Sequence, residues 1–347
     1  MGTLEKFPSQ NRSVTGYSSL SSVHDPGGEF YSYAPALIQD GTTEHLFSCQ
    51  NRNSGEIRDV IYYHKRENGI ITESKIILEP GPAGAWDCFH VCDPCVVDGS
   101  FNLFGTSYTY ALFYTGNNMD ASKNNQVGVA FSNSFEGPWI RYPYPLIHTP
   151  FGPGEWGVGQ PSITKVNGAG EVLVFYTQGM DSTDPDIVAG WRAHLDMSDM
   201  TDIKTFSYRE LTNNGLTAAD DGPDYLNNFD MIYDPSRDRF YCVREQHPYP
   251  EDFPFWIGEN LQIVSIPGTD IWQGTGTWTV EGEITPARTG FDRNHNAGIK
   301  RSAAGTLLDP GRLDILFENS SSEASDPACA WPGVLWTYDI WQISAEL

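Results

Sequence analysis

Apolar positions along the chain do not recur three and four residues apart, so almost no amphipathic helix is predicted. Instead, short runs rich in β-branched and aromatic residues are broken by Gly, Asn, Asp and Pro, the pattern of strands and turns. Five stretches share one outline: a Pro or small residue, an apolar strand, a turn, and a second apolar or aromatic strand. They are YAPALIQDGTTEHLFSCQN, CDPCVVDGSFNLFGTSYTYALFYTGN, GQPSITKVNGAGEVLVFYTQG, FDMIYDPSRDRFYCVREQ and NAGIKRSAAGTLLDPGRLDILFENSSS. Each is followed by another strand-like segment: RDVIYYHKRENG, NQVGVAFSNSFEGPW, DIVAGWRAHLDMSD, ENLQIVSIPGTDIW and GVLWTYDIWQISAEL, respectively. The starts, near residues 33, 92, 159, 229 and 296, lie roughly 60 to 70 residues apart, which suits a four-stranded blade with long loops.

One blade alone would leave a flat apolar face in water. Packing five around an axis buries those faces and leaves only short edges. The chain is therefore expected to be all-β, a single five-bladed β-propeller over residues 1–347. A β-sandwich or a two-domain all-β chain is the alternative. In a propeller the innermost strands begin near the axis on one face, so residues just before them converge on a central pocket.

Composition narrows the partners. Only 19% of residues are charged, yet the net charge is −24. That argues against nucleic acid, which needs Lys and Arg patches, and against anionic membrane surfaces. It fits a neutral or cationic partner. No apolar run approaches the roughly 20 residues that cross a bilayer. The opening MGTLEKFPSQ has no apolar signal core; an extracellular or periplasmic location is expected for the activity argued below, with the signal not present in this chain. Cys88, Cys92 and Cys95 cluster and read as buried thiols or one disulfide. A zinc site using His90 lacks ribbon spacing. Asn11 and Asn319 open sequons.

Several of these motifs resemble the five-bladed propeller superfamily of glycoside hydrolases, which includes families 43, 62, 32, 68 and 117. DPCVVDGSFNLFGT resembles their Asp-Pro strand with its aromatic hairpin. YALFYTGNN…NNQVGVAFSNSFEGPW is similar to their tyrosine-rich strand, "IGVA-S" strand and "GPW" turn. HNAGIKRSAAG looks like the blade-five segment that carries a His near the pocket floor. The resemblance covers nearly the whole chain as a repeat pattern and singles out no subfamily. It implies hydrolysis of a glycosidic bond in an oligo- or polysaccharide, often to a furanose or pentose. It also implies three central carboxylates from three blades. No cofactor is required; a structural ion near the axis is the one candidate.

Such chemistry needs an acid for the leaving oxygen and a carboxylate acting as base or nucleophile, with their pKa values pushed apart. Asp93, just before Pro94, is the leading candidate; the proline is expected to hold it extended and so aim its side chain. Asp230 is placed at the matching position of blade four. Two positions depart from the family pattern. Gly159 stands where blade three would carry the acid, so Glu155 is expected to reach in from the loop. Ala34 precedes Pro35 in blade one, where Asp25 from the nearby VHDPGG turn is a substitute base. Glu245 and Glu318, read as ending inner strands, are rivals. Gln160, His295 and His90 are candidate sugar-binding residues, and Arg58 and Arg293 candidate partners of a carboxylate. Tyr33, Trp86, Trp156 and Trp331 are candidate stacking faces. Two other classes compete: a propeller that binds sugar without catalysis, expected to show a single carboxylate in the pocket, and an interaction scaffold, expected to show an apolar top face.

Overall fold

The computed structural model describes residues 14–26, 31–51, 58–119, 123–181, 188–251, 255–320 and 339–347. It is a five-bladed β-propeller. Two N-terminal strands, β1 (Gly16–Tyr17) and β2 (Ser21–His24), come first. Blade one follows, with β3 (Ser32–Asp40), β4 (Thr43–Asn51), β5 (Asp59–Glu67) and β6 (Ile70–Leu78). Blade two is β7 (His90–Leu103), β8 (Thr106–Asn117), β9 (Gln126–Ser132) and β10 (Ile140–Arg141). Blade three is β11 (Gly157–Lys165), β12 (Glu171–Gly179), β13 (Val188–Asp196) and β14 (Lys204–Glu210). Blade four is β15 (Phe229–Asp234), β16 (Arg239–Gln246), β17 (Asn260–Pro267) and β18 (Thr279–Ile284). Blade five has β19 (Arg293–Ile299), β20 (Arg312–Ser320) and β21 (Ile340–Glu346). Every pairing of first with second strand within a blade is antiparallel.

Blade five takes its outer pairing from the other end of the chain. Both β1 and β2 pair with β21, so the N-terminus covers an edge that would otherwise be exposed. The repeat outline of the sequence supplies only three strands here, and the closing partners lie before the first repeat.

Burial explains why strict alternation is weak in the sequence. Middle strands such as β12 and β16 are buried almost throughout, because both faces of a blade are covered by its neighbours. Outer strands are different: the first half of β6 alternates between exposed and half-buried positions. Separate apolar clusters fill the junctions between successive blades. The cluster between blades five and one is the smallest of these, holding Val23, Leu37, Leu46, Leu316 and Ile340. Polar contacts supplement that seam: Lys300 reaches Glu44 at 2.6 Å.

The inner strands touch in ring order, β3 to β7 to β11 to β15 to β19 and back to β3. One side chain spans the hole they enclose. Arg301 is buried. Its backbone N–H donates to Leu37 of blade one at 3.0 Å. Its Nη1 faces Cys95 Sγ of blade two at 3.8 Å and the Ile163 carbonyl of blade three at 3.5 Å. Its Nη2 pairs with Asp230 of blade four, and its Nε donates to the Ile299 carbonyl of its own blade at 3.1 Å. The turn that follows closes the far end of the axis. The Ala303, Ala304 and Gly305 carbonyls accept from Asp98, Lys165 and Tyr233, at 2.8, 2.9 and 3.3 Å. Small residues are needed in this plug. A Cβ on Gly305, at φ 73°, would lie 2.2 Å from the Ile163 carbonyl oxygen.

Breaking a buried ion pair by removing one partner leaves the other charge uncompensated, at a cost of about 3–5 kcal/mol. Arg301→Met is therefore expected to lower stability by about that much in denaturant titration. Lys75→Met, which removes an exposed pair with Glu73, should cost under about 1 kcal/mol. Equal effects from the two variants would remove Arg301 from its central role.

Candidate active site

Five residues, one per blade, form a ring at the mouth of the axis: Ala34, Asp93, Gln160, Asn228 and Asn296. All have left-handed backbone, with φ of 49°, 50°, 57°, 44° and 47°. Such conformations are uncommon and costly for residues other than Gly, Asn or Asp, and they cluster at functional sites. In blades one, two, three and five each sits where the pairing of the inner strand breaks register. Asp93 is thus not extended as its following proline suggests; the local break turns it into the left-handed region.

Four of the ring N–H groups are caught by the second strand of the preceding blade. Asp93 N–H donates to Cys49 Sγ at 2.8 Å and Gln160 N–H to Thr115 Oγ1 at 2.8 Å. Asn228 N–H donates to Thr177 Oγ1 at 3.2 Å and Asn296 N–H to Glu245 Oε1 at 3.3 Å. By register, Glu318 is the blade-five member of this set. It lies opposite His295, as Cys49 lies opposite Tyr33, Thr115 opposite Cys92 and Thr177 opposite Gly159. Glu245 and Glu318 therefore belong to second strands, β16 and β20, and not to the inner strands assumed from sequence.

The ring lines a pit with about 380 Å³ of open space, together with Pro35, Pro94, Pro161, Phe229 and Asp230. Asp93 is the only carboxylate at a ring position. The blade-four match to Asp93 is Asn228, not Asp230, which stands two residues on. No proline follows Asn228 to mark the position. Asp230 lies at the floor with its oxygens committed: it accepts from Ser162 Oγ and the Ile299 N–H, both at 2.6 Å, and pairs with Arg301.

Around the ring the carboxylates fall into distinct states. Burial pushes Asp93 above the usual carboxylate range, although hydrogen bonds from Thr115 and Cys92 pull the other way. Burial also opposes charge on Glu245, but His295, Tyr249 and Asn296 outweigh it and hold Glu245 below its ordinary value. Glu318 is fully buried and neither oxygen makes a hydrogen bond of normal geometry. Burial and the neighbouring Glu245 push it well up, so Glu318 holds its proton to higher pH than Glu245 does.

The other sequence candidates are placed as follows. Gln160 lines the pit. His295 is paired with Glu245. His90 is buried behind Asp93, where its Nδ1 accepts the Asp59 N–H at 3.1 Å. Tyr33 donates to Asp59 at 2.5 Å. Trp156 packs over Gly159, whose added Cβ would meet the indole at 3.4 Å; it and Glu155 sit on the half-buried entry to β11, outside the pit lining. Arg58 is exposed, with its guanidinium 5.5 Å over the Phe89 ring. Asp25 is exposed just past β2, three strands out from β19. Trp86 stacks on Tyr114 of blade two, and Arg293 pairs with Glu259 at 3.3 Å. Trp331 and Asn11 lie outside the described residues. The described cysteines are free thiols. Among the described residues no group of three or more His, Cys, Asp or Glu is arranged to hold a metal ion.

No family model and no curated protein matches the sequence. Solved structures do match the fold. A family 117 glycoside hydrolase, Zg3597 from the marine bacterium Zobellia galactanivorans, superposes with TM-score 0.60 over 96% of this chain and 90% of its own, at 12% identity. A thermostable family-43 glycoside hydrolase gives TM-score 0.58 over 93% and 92%, also at 12% identity. The α-L-arabinofuranosidase PaAbf62A from Podospora anserina, in complex with cellotriose, gives 0.56 over 94% and 95%, at 10% identity. This chain shares its five-bladed fold with all three.

The raised pKa of Glu318 has a stability consequence with a definite sign. Below its ordinary value of 4.5 the folded and unfolded states are both protonated and no penalty arises. As pH rises toward the folded value, only the unfolded chain ionises, and stability is lost. The Tm of Glu318→Gln relative to wild type should therefore increase from about pH 4 to about pH 8. A pH-independent difference would contradict the assignment of a raised pKa to Glu318.

Proposed function

We propose that the protein is a glycoside hydrolase that admits one sugar residue into the axial pit. The observation that carries this reading is Asp93: a half-buried carboxylate, alone among the ring residues, held in left-handed backbone at a pit whose lining includes three amide side chains and three prolines. Amide side chains from Gln160, Asn228 and Asn296 offer donors and acceptors to sugar hydroxyls. Asp93 takes the part of base toward water, giving inversion.

The substrate proposed is a furanoside or pentoside in an arabinan, arabinoxylan or microbial arabinan glycan, acted on outside the cytoplasm. The glycoside hydrolases of the same fold, two of them named as α-L-arabinofuranosidases, support this. The net charge of −24 favours neutral over uronic sugars. One observation favours a second reading, a propeller that binds sugar without hydrolysis: the other four ring positions are Ala34, Gln160, Asn228 and Asn296.

Product release from a panel of arabinans, xylans, fructans and microbial arabinogalactans separates the two. Wild type is expected to release sugar from one of them, and Asp93→Asn to lose about 10²–10⁴-fold in kcat with Tm held. Sugar binding without release would instead establish the second reading.

A further inference from the structure

Hydrolysis by Asp93 alone lacks a proton donor for the leaving oxygen, and no second carboxylate occupies the ring. Glu318 stands directly behind the one ring position without a functional side chain. Its counterparts Cys49, Thr115, Thr177 and Glu245 are each engaged by the ring residue of the next blade. Glu245 is further capped by the Asn228 side-chain amide and by Tyr249, at 2.5 Å for the latter. The next blade after five is blade one, where β20 packs against β3 and the ring residue is Ala34. A methyl group there offers Glu318 no hydrogen bond, and the Glu318 carboxyl lies fully buried beneath the pit lining. The charge of Asp93, the ring member that follows Ala34, adds to the effects that raise the Glu318 pKa.

Resting on the glycosidase reading, we infer that Glu318 reaches the pit through the space left by Ala34 and donates the proton to the departing glycosidic oxygen, opposite Asp93. In this step the anomeric carbon–oxygen bond breaks with its electron pair kept by the leaving oxygen, which takes the Glu318 proton. Water attacks the anomeric carbon and gives its proton to Asp93. One water is consumed, and solvent returns the proton from Asp93 to Glu318 before the next turnover. The role of Glu245 is to position this chemistry: held ionised by His295 and Tyr249, it keeps Glu318 protonated until the donation.

The test compares Glu318→Gln with wild type on the glycan that wild type cleaves and on a nitrophenyl glycoside of the same sugar, whose leaving group needs no protonation. The expected result is a loss of about 10²–10⁴-fold in kcat on the glycan, a loss under about tenfold on the nitrophenyl glycoside, and disappearance of the alkaline limb of the pH profile. An equal loss on both substrates with an unchanged pH profile would make Glu318 merely structural and overturn the inference, as would full activity on the glycan. Wild type inactive on every glycoside would overturn the hydrolase reading and this inference together; an active wild type with either Glu318→Gln failure overturns this inference alone.

Discussion

The ion pair between Asp230 and Arg301 is the constraint on which the rest of the molecule depends. Five inner strands around an axis leave a hole that no ordinary apolar side chain can fill evenly. A guanidinium has a fork of donors that can serve several partners at once. Arg301 uses it, with its own backbone, to touch every blade. Such a buried cation requires an anion, and the half-buried Asp230 supplies it while also tying Ser162 and Ile299 into the same node. The floor of the pit is thereby neutralised. The ring above it holds Asp93, the carboxylate of the proposed site.

That division of labour is only partly legible in the sequence. The repeat outline and its spacing are enough for the propeller and for the approximate start of each inner strand, because apolar strands and turn residues are local signals. Asp93 and Gln160 are also legible, since a proline follows each and marks the break in register. Asn228 and Asn296 carry no such proline, so the sequence points to Asp230 as the ring residue of blade four, whereas the fold makes it the floor anion. Charge by itself does not distinguish a catalytic carboxylate from one held by a buried arginine 71 residues away in a neighbouring blade.

The second layer is the least legible. Cys49, Thr115, Thr177, Glu245 and Glu318 perform equivalent backbone tasks or occupy equivalent places, yet follow no common residue type. Their equivalence appears only once strand register is known. It also gives Ala34 a meaning: a gap in a ring of polar side chains, beside a buried glutamic acid of raised pKa. Loop candidates fare differently. Asp25 and Glu155 stand out by proximity in sequence to blade starts, but the chain carries Asp25 to the outer edge of blade five and leaves Glu155 on the entry to β11. Neither position follows from local pattern, because each depends on how a connection crosses the face of the propeller.

The most direct measurement of the central claim is a crystal structure of the Asp93→Asn variant with an oligosaccharide that wild type cleaves or binds. The account predicts a terminal sugar inside the ring formed by Ala34, the substituted position 93, Gln160, Asn228 and Asn296, with its glycosidic oxygen over Ala34 and facing Glu318. A sugar bound elsewhere on the propeller, with the pit empty, would contradict it.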